Sequence, residues 1–72
     1  MKKADGLDEA LIGTAYRADL GEVFTYDYDK CVDIFMDIND WSEEDALEWM
    51  ESNVVGCYVG EGSPIFVHWN RE

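Results

Sequence analysis

Apolar residues recur along this chain in two rhythms, and the change of rhythm divides it into elements. Ala10 to Arg17 (ALIGTAYR) alternates, with Leu11, Gly13 and Ala15 expected on one side and Ile12, Thr14 and Tyr16 on the other. A helix is the rival reading there, favoured by Ala and Leu and opposed by Gly13 and Thr14. Glu22 to Tyr26 (EVFTY) is β-branched and aromatic, the clearest short strand. Ala18-Asp19-Leu20-Gly21 separates the two as a turn, so an antiparallel hairpin is expected. From Asp27 the period lengthens. Cys31, Ile34, Phe35 and Ile38 fit the i, i+3, i+4, i+7 template of a helix facing the core. Asp27 is its natural N-cap, Asp29 complements the dipole in its first turn, and its end is expected between Ile38 and Asp40.

Ser42 opens a second helix. Ser42-Glu43-Glu44-Asp45 has the form of a capping box with Asp in place of the usual Glu, and Trp41 stands where a hydrophobic staple would. Ala46, Trp49, Met50, Asn53 and Val54 make its expected buried stripe, with Gly56 as a stop. Gly60-Glu61-Gly62-Ser63-Pro64 is a turn cluster, and Ile65 to Trp69 (IFVHW) a last strand. Residues 1 to 8 (MKKADGLD) read as a loosely held start. The expected fold is α+β in the order β-β-α-α-β: a small three-stranded antiparallel sheet with two acidic helices on one face, residues 1–72 forming a single domain.

Charge changes this picture more than composition does. Nearly half the chain is apolar, which argues against disorder, but the net charge is −12 on 72 residues. Ten acidic residues lie between Asp27 and Glu51, where Lys30 is the only base. Asp29, Asp33 and Asp37 recur every fourth residue, setting successive carboxylates about 6 Å apart along one side of a helix. Glu44, Glu48 and Glu51 form a similar ladder, with Asp40 and Glu43 at the junction. Like charges at this spacing cost a helix a few tenths of a kcal/mol each, roughly, which Lys or Gln would avoid. Phosphates along a nucleic-acid strand advance ~3.4 Å axially, and farther once winding is counted. Carboxylates at helical spacing can therefore occupy a cationic groove shaped for phosphates. The candidate partner-binding residues are Asp29, Asp33, Asp37, Asp40, Glu43, Glu44, Glu48 and Glu51. Direct binding to nucleic acid or anionic membrane is disfavoured by repulsion. The bland alternative is a solvated acidic surface that only confers solubility.

Other chemistries find little support. Calcium-loop frames starting at Asp27 or Asp37 lack the sixth-position glycine, which is Val32 in one and Ser42 in the other. His68 is the only histidine, and neither a phosphate loop, a nucleophile elbow nor a C-x-x-C is present. No enzyme activity, cofactor or metal is expected. Cys31 and Cys57 both fall at inward positions and are expected as buried free thiols. No run approaches membrane-spanning length and no apolar segment follows Lys2 and Lys3, so a cytoplasmic monomer is expected.

YDYDKC (Tyr26 to Cys31), EEDALEWMESNVVGCYVGE (Glu43 to Glu61) and SPIFV (Ser63 to Val67) resemble short acidic proteins encoded by phages and mobile elements in bacteria. The resemblance runs from about Leu11 to Val67, and its wording NVVG-x-YVGE-x-x-PIFV carries no chemistry of its own. Some small acidic phage-type proteins of this kind are anti-CRISPR inhibitors. Several of those are DNA mimics that block the cationic channel of a type I CRISPR (Cascade) complex. The resemblance thus implies an inhibitor working in a bacterial cytoplasm on a type I effector, but assigns no residue a role. A second reading is a small interaction module that binds through an aromatic or apolar patch.

Overall fold

A computed structural model describes residues 3–18, 21–56 and 62–68. Its elements follow the expected order: β1 (Leu11–Arg17), β2 (Gly21–Asp27), α1 (Tyr28–Asn39), α2 (Glu43–Trp49) and β3 (Ile65–Val67). A 3-10 turn at Asp8–Ala10 precedes β1, and α2 runs on into a π-helical segment, Met50–Val55. The fold is α+β, a three-stranded sheet in the order β1-β2-β3 with two helices.

The sheet is mixed, where a fully antiparallel one was expected. β1 and β2 form the antiparallel hairpin, whereas β3 pairs with β2 in parallel, Tyr26 opposite Phe66. The helices between β2 and β3 supply the crossover that a parallel pairing requires. A second difference lies in β1. The register slips between Leu11 and Gly13, and Gly13 takes φ +150°, a backbone state that glycine adopts readily. This bulge sets Leu11 opposite Tyr26 and Thr14 opposite Phe24, so strict alternation from Leu11 to Tyr16 does not hold.

Both helices start as their caps dictate. The Asp27 carboxylate accepts from the Lys30 N–H at 3.2 Å, and the Ser42 hydroxyl accepts from the Asp45 N–H at 3.2 Å. Only that forward half of the capping box forms among the described residues. α1 ends at Asp40, whose φ of 55° is left-handed; its N–H and that of Trp41 both donate to the Met36 carbonyl.

Tyr26 anchors the core. Its side chain is fully buried, its hydroxyl accepts from the Ala4 N–H at 2.9 Å, and its ring stacks on Phe66 with centroids 5.6 Å apart. Ala4, Leu7 and Ala10 are each about 1% exposed, so residues 3–10 are packed rather than loose. Three apolar side chains spaced by three, a leucine between two alanines, let this irregular stretch cap the core. Around them close Tyr28, Cys31 and Val32 from α1 and Ala46, Met50 and Val54 from the second helical region.

The buried face of α1 agrees with the expected one at Cys31, Ile34 and Phe35 and departs from it toward the ends. Tyr28 and Val32 are also buried, with Met36 packed beside them, while Ile38 is 69% exposed. Apolar residues at 31, 32, 34, 35, 36 and 38 satisfy two helical templates, and anchoring Tyr28 beside the sheet selects the one without Ile38. In the second region Trp49 and Asn53 are exposed, and the inside stripe is Ala46, Met50 and Val54, every fourth residue. The wider turn of the π segment keeps an every-fourth stripe in line. Gly56 follows at φ −70°; a Cβ there would stand 3.2 Å from the Glu51 carbonyl oxygen, so space rather than a left-handed turn favours glycine. Cys31 is a buried free thiol, as expected; Cys57 and Trp69 lie outside the described residues.

Candidate acidic interface

The placement of the acidic residues follows from what the helices bury. With Tyr28, Cys31 and Val32 turned inward, the ladder Asp29, Asp33, Asp37 falls on the solvent side of α1. With Ala46, Met50 and Val54 inward, Glu44, Glu48 and Glu51 are likewise exposed. Asp40 and Glu43, at the corner between helices, complete eight exposed candidates.

Two of the eight are tied to the protein itself. The Tyr28 hydroxyl donates to Glu51 Oε2 at 2.7 Å, and Asp29 Oδ1 lies 3.5 Å from Nδ1 of His68. The Tyr28 and His68 rings are 4.6 Å apart, so Asp29 from α1 and Glu51 from the π segment flank one aromatic pair. The ladders are joined there. Burial, then the hydrogen bond and charge of Glu51, push the Tyr28 hydroxyl up to about 12. Burial alone pushes the Cys31 thiol up to about 12, keeping it an inert thiol at neutral pH.

The other six carboxylates make no side-chain hydrogen bond or ion pair among the described residues. Asp33 and Asp37 border a hollow of about 150 Å³ together with Glu9, Lys30, Ile34 and Ile38. Glu48 borders a different one of about 210 Å³, lined also by Trp41, Asp45, Trp49, Ser52 and Asn53. These two hollows share no residue, so Asp33 and Asp37 are not gathered with Glu48 around one cavity.

The second hollow is what a search for charge ladders misses. Trp41 and Trp49 stand with ring centroids 5.4 Å apart and tilted by 54°, and Phe35 meets Trp49 edge-on at 6.5 Å. A signal for it exists in the chain: 45, 48, 49, 52 and 53 are an i, i+3, i+4, i+7, i+8 set, hence one helical face. Counting Trp49 as a core residue assigned that face to the interior. Among the described residues no three of His, Cys, Asp and Glu converge to hold a metal ion, and no helix is long and apolar enough to cross a membrane. No family model, curated protein or solved structure matches the chain.

Proposed function

We propose that this protein is a polyanion mimic, an anti-CRISPR-type inhibitor that sets the carboxylates of α1 and α2 on a cationic surface built for nucleic acid. The observation that carries the reading is the exposure of eight carboxylates on the two helical regions and the corner between them, six without a hydrogen-bond or ion-pair partner among the described residues. A protein of net charge −12 that left these groups for solubility alone would gain by interleaving lysines, and α1 carries only Lys30. The resemblance to small phage-type proteins makes the DNA channel of a type I CRISPR effector complex the partner of choice. Inhibition is then steric and electrostatic: carboxylates occupy phosphate positions, opposite fields speed association, and target DNA is kept off.

The test is competition at the effector. A purified type I complex loses target-DNA binding when the protein is added, and capture of the complex weakens steeply between 50 and 300 mM salt, by roughly tenfold or more. Thermal stability of the free protein moves the other way, because salt screens its self-repulsion. Asp33→Lys with Asp37→Lys abolishes capture, while reversal of Glu72, outside both ladders, changes it little. Salt-independent capture, or equal effects of the two reversals, overturns the mimicry.

One observation favours a second reading, recognition through an apolar patch. Ile38 is 69% exposed, Trp49 41% and Leu47 38%. Salt-insensitive association lost on Trp49→Ala selects that module over the mimic.

A further inference from the structure

Two indole rings, two carboxylates, a hydroxyl and an amide surround the hollow of about 210 Å³ at the end of α2. At ~30 Å³ per water, that space equals roughly seven waters, enough for the end of a long side chain. Its walls are complementary to one kind of group. The tilted faces of Trp41 and Trp49 attract a planar cation, and a ring can hold one within ~6 Å of its centroid. Asp45 and Glu48 supply opposite charge on the same helical face. The Ser52 hydroxyl and the Asn53 amide oxygen can accept hydrogen bonds from the edge of the group. None of the described side chains fills the site with a cation: Lys3 lies over Phe24 at 5.9 Å, and Lys30 borders the other hollow.

We infer that the Trp41–Trp49 groove is a receptor for an arginine side chain of the partner. A guanidinium stacks on indole through its flat face while its five N–H donors point outward in the ring plane, toward carboxylates at the rim. Lysine, a compact and strongly hydrated ammonium, uses the aromatic faces less well. This deepens the mimic reading and rests on it in one respect: the partner is basic. The ladders supply long-range attraction, which orders nothing by itself. The groove supplies a short-range contact with a defined residue, and so fixes where on a cationic surface the protein stops.

The experiment follows the indole N–H resonances of the whole protein in two-dimensional ¹H–¹⁵N NMR. Three capped tripeptides are titrated in at matched ionic strength, alike except for a central arginine, lysine or citrulline. The arginine peptide shifts the Trp41 and Trp49 indole signals in a saturable way, the lysine peptide shifts them less, and neutral citrulline leaves them in place. Asp45→Asn with Glu48→Gln, both at exposed positions, weakens arginine binding by roughly three- to tenfold with the fold intact. Equal shifts from arginine and lysine, or shifts centred on Asp33 and Asp37, overturn the assignment. Its failure is separable from failure of the mimic reading. Arginine binding in the groove with capture indifferent to Asp33→Lys/Asp37→Lys leaves the receptor standing and removes the mimic. Capture that depends on the ladder, with unmoved indole signals, does the reverse.

Discussion

At the Tyr28 end of the molecule, aromatic rings and carboxylates satisfy one another: the phenol donates to Glu51, and His68 lies between Tyr28 and Asp29. At the Trp49 end the same types of group meet around open space, with Asp45 and Glu48 making no side-chain hydrogen bond or ion pair among the described residues beside two indoles. The first arrangement joins the residue after β3 to both helical regions, so its two carboxylates are engaged with the fold. Among the described residues the second crosses no such boundary, since each one lining it comes from one stretch between Trp41 and Asn53. The lesson is that an acidic residue in this chain cannot be read from its spacing alone. Glu48 and Glu51 are one helical step apart in the same ladder, yet Glu51 is a structural acceptor and Glu48 has no hydrogen-bond or ion-pair partner among the described residues.

Alkaline pH should separate the two ends most strongly. Cys31 and Tyr28 hold their protons in the folded state up to about 12, against ordinary values of 9.0 and 10.0. Raised folded values mean that stability is complete below pH 9 and is lost as the unfolded thiol, then the unfolded phenol, begins to ionise. At ~1.4 kcal/mol for each tenfold difference in proton affinity, the loss is on the order of 4 kcal/mol by about pH 11. Urea titrations at pH 8 and pH 11 read it directly. Tyr28→Phe removes the part that begins at pH 10, and Cys31→Ala the part that begins at pH 9. Trp49→Leu retains the whole loss. A Trp49→Leu protein that becomes insensitive to alkali breaks the comparison.

Truncations at neutral pH give the next largest effects. Tyr28→Phe deprives the fold of a charge-assisted hydrogen bond and should cost ~1.5–2 kcal/mol, while exposed Glu51 regains water. Trp49→Leu gives up the ring contacts to Phe35 and Trp41 at a half-open site, for about 1 kcal/mol or less. The order of the two urea midpoints is the check. A Trp49→Leu protein destabilised more than the Tyr28→Phe protein means that the indole groove is part of the core and not an open surface.

This asymmetry explains which parts of the chain were legible in advance. The hairpin, the caps at Asp27 and Ser42 and the order of elements rest on local chemistry, and local chemistry is present in a sequence. The parallel pairing of β3 was not legible, because nothing within Ile65–Val67 records the direction of its neighbour. Nor was the burial of Ala4 and Leu7, which depends on the Tyr26 hydroxyl 22 residues away. All eight candidate carboxylates are exposed, since charge at helical spacing opposite an apolar stripe has little choice. Their division into tied and open groups was hidden, because it depends on which aromatic ring, Tyr28 or Trp49, lands beside them.

Asp40 stands between the two regions and offers the smallest and cleanest test of whether a carboxylate belongs to the fold or to the surface. Its φ of 55° is left-handed, so its side chain costs energy where glycine would not. Asp40→Gly should therefore stabilise the protein by about 0.5–1 kcal/mol, or ~3–6 °C in Tm for a domain of this size. Asp40→Asn removes the same charge while keeping a residue that tolerates the left-handed region, and should leave Tm within about 1–2 °C. If Asp40 is a partner contact, both variants lose the same modest share of effector capture despite opposite effects on the fold. If capture follows Tm, rising with Gly and flat with Asn, then the corner carboxylate lies outside the interface and the acidic surface is confined to the helix ladders.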